Sequence, residues 1–107
     1  MPSKYKNVKT EVDGIVFHSK AEARRYQELR LLEKAGQVRN ITRQVRYPFR
    51  LNGILITTYV SDFNYEELSA IDEWVPVVED CKGYRTPMFI IKAKLMVALC
   101  GIVIRET

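Results

Sequence analysis

Histidine and cysteine are scarce in this sequence. His18 is the one histidine among 107 residues, which excludes centres built from several imidazoles, such as those of HNH-type nucleases. Cys81 and Cys100 lack the spacing of a zinc site and cannot make a framework of several disulfides. We therefore expect a reducing compartment, with the cytoplasm as the predicted location.

Long apolar runs are also missing. The most apolar segment, residues 88–104, is interrupted by two lysines and a glycine, which argues against a membrane span. The first residues, Met1–Lys4, are polar and basic, so we expect no signal peptide. Hydrophobic residues make up 47% of the chain, enough for one compact core. We expect residues 1–107 to form a single domain, with residues 1–8 loosely ordered.

Positive charge is in modest excess. The chain has 17 lysines and arginines against 13 acidic residues, a net charge of +4. Such an excess suits a nucleic-acid partner. Many unrelated proteins share it, so charge alone does not decide the function.

The first part of the chain predicts a hairpin and a helix. Asp13-Gly14 lies between β-prone residues, a two-residue hairpin pattern. Ser19 and Glu22 have the spacing of a capping box. These residues predict a helix over Lys20–Ala35 that ends at Gly36.

The second part predicts strands and a crossover helix. Asn52-Gly53 is a strong hairpin signal between two β-rich runs. Thr86 followed by Pro87 is a typical helix start. The predicted elements are strands at Thr42–Leu51, Ile54–Tyr65 and Trp74–Lys82, a polar connection at 66–73, a helix at Pro87–Cys100 and a closing strand at Ile102–Glu106. The predicted fold is a mixed α/β sheet in the order α-β-β-β-α-β, after a short N-terminal hairpin.

Two acids and a lysine end strands that otherwise look buried. Side chains alternate along a strand, so Asp80 and Lys82 should share one face, with Glu79 on the other. If the strand of Asp62 pairs with that of Asp80, the two carboxylates converge at one sheet edge. Close carboxylates repel and lose hydration unless a cation lies between them. Oxygen ligands of this kind suit Mg²⁺.

Glu22 falls on the same helix face as Tyr26 and Leu29, which should pack on the sheet. Each acid also has a structural interpretation. Glu22 can serve only the capping box, Asp62 can end a strand at a turn, and Asp80 and Lys82 can form a surface ion pair of little energetic value. These alternatives stay open for each residue taken singly.

The ordered set resembles a known family. The segments FHSKAEARRY, RQVRYPFRL, YVSDFNY and VVEDCKGYRT are similar to motifs of the PD-(D/E)xK nuclease superfamily, especially small phage-encoded endonucleases that resemble Holliday-junction resolvases. The resemblance spans residues 17–106 and implies a restriction-endonuclease-like core. Ser61 stands where the motif name has proline, a position that varies in such enzymes.

The resemblance also implies roles for the site residues. Asp62, Asp80 and the main-chain carbonyl of Cys81 would hold Mg²⁺ or Mn²⁺. Lys82 would orient water or stabilise developing charge. Glu22 would bind a second metal or a metal-bound water. The implied activity is metal-dependent hydrolysis of DNA, in the cytoplasm of a host cell if the protein is phage-encoded.

Basic residues close to these motifs are candidates for phosphate contacts, which would make binding sensitive to salt. The candidate DNA-binding residues are Gln44, Arg24, Arg25, Arg43, Lys92 and Lys94. Lys92 and Lys94 are two apart on a helix and should not share a face, so one of them should point to the cleft.

Branched DNA is the favoured substrate and a homodimer is possible. The alternative is a basic nucleic-acid-binding module or replication accessory protein without catalysis.

Overall fold

The structure is a computed structural model that describes residues 9–82 and 84–107. The order expected for residues 1–8 therefore lies outside the described chain. The described elements are β1 Thr10–Val12, β2 Ile15–Phe17, α1 Lys20–Lys34, β3 Val38–Arg43, β4 Arg46–Leu51, β5 Ile54–Val60, β6 Phe63–Leu68, β7 Trp74–Asp80, α2 Pro87–Leu95 and β8 Arg105–Glu106. Helix α2 continues as a π-helical turn, Met96–Cys100. In the described ranges neither helix is long and apolar enough to cross a membrane.

A four-stranded mixed sheet in the order β3-β6-β7-β8 forms the centre of the fold. β6 pairs antiparallel with both β3 and β7, and β8 pairs parallel with β7. Helix α2 is the crossover between these parallel strands, as the sequence predicts. β4 and β5 pair only with each other and form a separate two-stranded ribbon. The predicted mixed α/β class is confirmed.

Helices cover both faces of the sheet. One core cluster joins Tyr26 and Leu29 of α1 to Phe63 and Val77. A second cluster, on the other face, contains Val78 with residues of the ribbon, α2 and the C-terminal segment. Because side chains alternate along β7, Glu79 faces the α1 layer and Asp80 faces the α2 layer.

Caps and turns form where the sequence predicts them. The Ser19 hydroxyl accepts the N–H of Glu22 at 3.1 Å, and the Thr86 hydroxyl accepts that of Phe89 at 3.1 Å. Both helices thereby satisfy N–H groups that have no partner within the helix. Asn52 and Gly53 have φ values of 52° and 78°, the left-handed geometry of a type I′ hairpin turn.

The middle of the chain differs from the prediction. The run expected as one strand over Thr42–Leu51 is two strands with a break at Gln44, whose φ is 53°. The run Ile54–Tyr65 is likewise divided, between β5 and β6. The strand that pairs with β7 is therefore β6, not a strand of the Asn52-Gly53 hairpin. The closing strand is also shorter than predicted.

β6 extends through residues expected to form a polar connection. Its glutamates are paired with arginines of two other strands of the sheet: Arg39 Nη2 of the adjacent β3 lies 3.0 Å from Glu66, and Arg105 Nη2 of β8, beyond β7, lies 2.8 Å from Glu67. Exposed charged pairs across strands keep their hydration, so they cost the sheet little. Residues 66–68 therefore belong to β6, although their composition is typical of a loop.

Candidate active site

Asp62 lies in the short link between β5 and β6 and is held against the end of β7. Its N–H donates to the carbonyl of Glu79 at 3.1 Å. Its Oδ2 accepts the N–H of Cys81 at 2.8 Å. These two bonds bracket Asp80, so the Asp62 carboxylate lies beside that residue at the sheet edge.

Asp80 is the buried acid of the site, with 2% of its surface exposed. Its Oδ2 accepts the phenolic O–H of Tyr59 at 2.7 Å. Its Oδ1 lies 2.9 Å from Lys82 Nζ, a charge contact without hydrogen-bond geometry, so Oδ1 has no hydrogen bond to the described residues. Lys82 Nζ in turn lies 4.6 Å from the centre of the Phe89 ring. Asp80 and Lys82 therefore share a face, as strand alternation predicts.

The two aspartates interact strongly. Burial raises the pKa of Asp62 to about 7, and the nearby charge of Asp80 adds to the increase, although the Cys81 N–H opposes it. Near neutral pH, Asp62 is thus divided between protonated and ionised forms. Burial and the bond to Asp80 also raise the pKa of Tyr59, which keeps the phenol protonated and donating.

Glu22 lies in the first turn of α1 and is half-buried. Its charge contributes to the raised pKa of Asp62, so it faces the aspartate pair. Within residues 9–82 and 84–107, however, no group of three His, Cys, Asp or Glu side chains is arranged to hold a metal ion. The side chains at the sheet edge that could hold a cation are the carboxylates of Asp62 and Asp80. A pair fits Mg²⁺, which keeps several waters and takes one or two carboxylates plus substrate phosphate.

Asp80 Oδ1 is the atom that tests this fit, because it is buried and its partner is the Lys82 ammonium at 2.9 Å, without hydrogen-bond geometry. A buried carboxylate oxygen without a hydrogen bond is costly. A divalent cation between Asp80 and Asp62 would give that oxygen a ligand role. Cys81, whose carbonyl the resemblance assigns to the metal, follows Asp80 in sequence and donates its N–H to Asp62.

Lys92 and Lys94 lie on different sides of α2. Lys92 lines a cavity of about 230 Å³ together with Asp80, Lys82, Thr58 and Thr86. Lys94 lines a different cavity, next to Val103 and Glu106. Lys92 is therefore the residue of the two that faces the site.

Arg25, one of the predicted DNA contacts, is bound to acidic groups of the protein. Its Nε and Nη2 donate to Glu79 at 2.8 and 3.0 Å, and Glu79 is fully buried. Tyr65 donates to the same carboxylate. This charge pair raises the pKa of Arg25. Its guanidinium therefore neutralises a buried carboxylate while the side chain stays 20% exposed, and the phosphate contact of Arg25 stays a prediction.

Three other candidate residues surround the site. Gln44 is exposed, and its N–H donates to the Asp62 carbonyl at 3.3 Å. The Arg43 guanidinium lies 4.4 Å from the Phe17 ring centre, beside this link. Arg24 is exposed and lines a cavity with Cys81.

Sequence reasoning missed the partners of the acids. Tyr59 orients Asp80 and Arg25 neutralises Glu79, yet neither pairing follows from a local motif. Strand alternation offered one signal, since Glu79 had to face away from Asp80. Which residue of α1 contacts Glu79 depends on how the helix packs on the sheet, so local sequence could not identify Arg25 as that residue.

One comparison with known proteins gives a match. A family model described as "Protein of unknown function (DUF1064)" matches residues 2–100. No curated protein matches the chain, and no solved structure does. The matched range includes all of the acids and lysines of the candidate site.

Proposed function

The chain belongs to the DUF1064 family of proteins of unknown function, and we propose that it is a metal-dependent endonuclease that hydrolyses DNA phosphodiester bonds. The observation that carries the proposal is the contact between Asp62 and the buried Asp80 at the end of β7. Two carboxylates this close repel each other, and the Lys82 ammonium offsets one charge of the pair, so a divalent cation would remove the remaining cost. Lys82 next to them supplies the remaining group of an Asp-x-Lys site.

In this proposal Asp62 and Asp80 hold one divalent cation, Mg²⁺ or Mn²⁺. The cation would lower the pKa of a bound water and neutralise charge on the scissile phosphate. Tyr59 donates to Asp80 Oδ2, which fixes the carboxylate. Asp80 Oδ1 lies 2.9 Å from Lys82 Nζ, and the cation would share that oxygen. Lys82 is held near Asp80 Oδ1 and the Phe89 ring. From there its ammonium can donate to the attacking water or to a phosphate oxygen.

The shape of the surroundings supports a phosphate-containing substrate. The cavity at Asp80 is open to Lys92 and to the hydroxyl-bearing residues Thr58 and Thr86. Lysine and threonine are common ligands of phosphate oxygens. The match of four ordered segments to the PD-(D/E)xK pattern points to DNA as the polymer, and to branched DNA cut by a homodimer as the finer proposal.

A cleavage assay tests the proposal. The protein is incubated with supercoiled plasmid, linear duplex, single-stranded DNA and a four-way junction, each with Mg²⁺, Mn²⁺ or EDTA. We expect cutting that requires the metal, with the junction as the preferred substrate. Binding without cutting under every condition would instead favour a non-catalytic nucleic-acid-binding module.

A further inference from the structure

The β4–β5 ribbon has a free apolar end. Residues 50–56 are exposed without interruption, and we call this segment the ribbon tip. Its apolar side chains expose large fractions: Leu51 46%, Ile54 65%, Leu55 48% and Ile56 55%. An exposed apolar group of this kind on a small protein typically marks a binding surface.

The ribbon tip is rigidly placed. Phe49 and Tyr59 anchor the base of the ribbon in the core cluster that includes Phe89 of α2. Beyond that anchor the strands close in the tight turn at Asn52 and Gly53. A paired ribbon with a type I′ turn holds its end side chains in a defined position, so the tip can act as a preformed wedge.

The charge of the ribbon selects its partner. From residue 34 to residue 61 the sequence contains no aspartate or glutamate. Arg46 and Arg50 are exposed on the ribbon, and among the described ion pairs neither arginine takes part. A basic ribbon with an apolar end complements a phosphate backbone next to exposed base faces.

The ribbon also begins at the candidate site. Thr58, Tyr59 and Val60 line the cavity of Asp80 and Lys82. From Tyr59 to Ile54 the extended strand covers about 17 Å, at about 3.4 Å per residue. Since bases along one DNA strand are about 3.4 Å apart, the tip can reach a point within about five nucleotides of the site.

We propose that the ribbon tip inserts between base steps at a branch point of DNA and thereby selects branched substrates. This inference rests on the proposed function, because it names the substrate class of the same site. Apolar wedges unstack the bases they separate, and this costs least where stacking is already broken. Arg46 and Arg50 would hold the flanking phosphates.

Binding without cleavage tests the inference. A four-way junction and a linear duplex carry 2-aminopurine at the same sequence position, at the branch point in the junction, and EDTA prevents cutting. We expect the wild-type protein to bind the junction at least about tenfold more tightly and to increase its fluorescence. The double variant Leu51→Ser/Ile54→Ser should lose both effects. Ile71→Ser, a substitution at a residue 74% exposed in the turn before β7, is the matched control and should retain them.

The arginines provide a second measurement. Arg46→Gln and Arg50→Gln should each lower the slope of log affinity against log salt by about one, on both substrates.

If the tip double variant is folded and keeps the junction preference and the fluorescence increase, the inference is wrong. If it instead turns a dimer into a monomer with unchanged preference, the tip binds a second copy of the chain. Binding results of the expected kind without any cutting would overturn the proposed function and leave this inference standing.

Discussion

At the scale of single residues, the central feature is a carboxylate pair whose charge depends on pH. Asp62 has a pKa of about 7 because it is buried and lies beside Asp80. The ordinary value for this side chain is 3.8. Between these two values the folded chain keeps a proton that the unfolded chain releases. Asp62 therefore stabilises the fold least at high pH, where it is ionised.

The first prediction concerns pH and the metal-free protein. In EDTA, the free energy of unfolding of the wild type should fall relative to that of Asp62→Asn as the pH rises from about 4 to about 7, and should level off above that. Urea denaturation of both proteins at several pH values measures the difference. A difference that is constant or rises with pH would contradict the raised pKa.

The second prediction concerns the cation. Mg²⁺ or Mn²⁺ and the proton compete for the same carboxylates, so millimolar metal should raise the melting temperature more at pH 8 than at pH 5.5. Asp62→Asn should show a much smaller rise at either pH. Thermal melts with and without metal measure both effects. An equal rise in wild type and variant would place the cation elsewhere.

At the scale of elements, β7 ends in two adjacent acids that face opposite layers of the fold. Glu79 is bound to Arg25 of α1, and Asp80 is bound to Tyr59 of the ribbon. These bonds fix the register at the strand end where the site forms. Glu79, which contacts α1, and Asp80, which lines the cavity, are therefore adjacent in sequence but have different roles.

The third prediction follows from the buried pair. Glu79→Gln leaves the Arg25 charge without its carboxylate, so we expect a loss of about 3 kcal/mol in the free energy of unfolding. Glu28→Gln, at a side chain 51% exposed that also contacts Arg25, should cost less than about 1 kcal/mol. Chemical denaturation compares the two. Similar losses in both variants would mean that the buried contact does not control stability.

The fourth prediction separates two lysines of α2. Lys92 lines the cavity of Asp80, whereas Lys94 lies on the other side of the helix. Lys92→Ala should weaken binding of linear duplex DNA by about tenfold at low salt and reduce the salt dependence, while Lys94→Ala should have little effect. Fluorescence anisotropy in EDTA measures both. A larger loss in Lys94→Ala would contradict the placement of the cleft.

Local chemistry predicted several elements because their signals are short-range. The turn at Asn52-Gly53 and the caps at Ser19 and Thr86 depend on a few adjacent residues, and all three form as expected. The extension of β6 to Leu68 was missed because Glu66 and Glu67 resemble loop residues until their arginine partners on β3 and β8 are known. Pairing partners far apart in sequence were the part that local patterns could not supply.

For the site as well, the sequence predicted what depends on local geometry and missed what depends on distant contacts. Alternation along β7 correctly placed Asp80 and Lys82 on one face, since it depends only on strand geometry. The roles of Tyr59 and of Arg25 depend on how the ribbon and α1 pack, so neither was predicted. Arg25 was assigned to DNA although a buried carboxylate holds it.

At the scale of the whole molecule, the sheet brings residues from four segments to one edge. Glu22 comes from α1, Asp62 from the β5–β6 link and Asp80 from β7, with Lys82 immediately after it. The ribbon and α2 supply a basic and hydroxyl-lined approach to that edge. The fold thus provides one surface on which, in the proposed function, a phosphate backbone would meet both the aspartate pair and a lysine.

The cleavage rate of Asp80→Asn with Mg²⁺ tests the central claim most directly. This change keeps the shape of the side chain but removes its charge at the proposed metal. Asp72→Asn, in the exposed turn before β7, is the matched control. The account predicts that Asp80→Asn binds DNA but cuts it at least about a hundredfold more slowly than the wild type, while Asp72→Asn cuts normally. Undiminished cutting by a folded Asp80→Asn would contradict it.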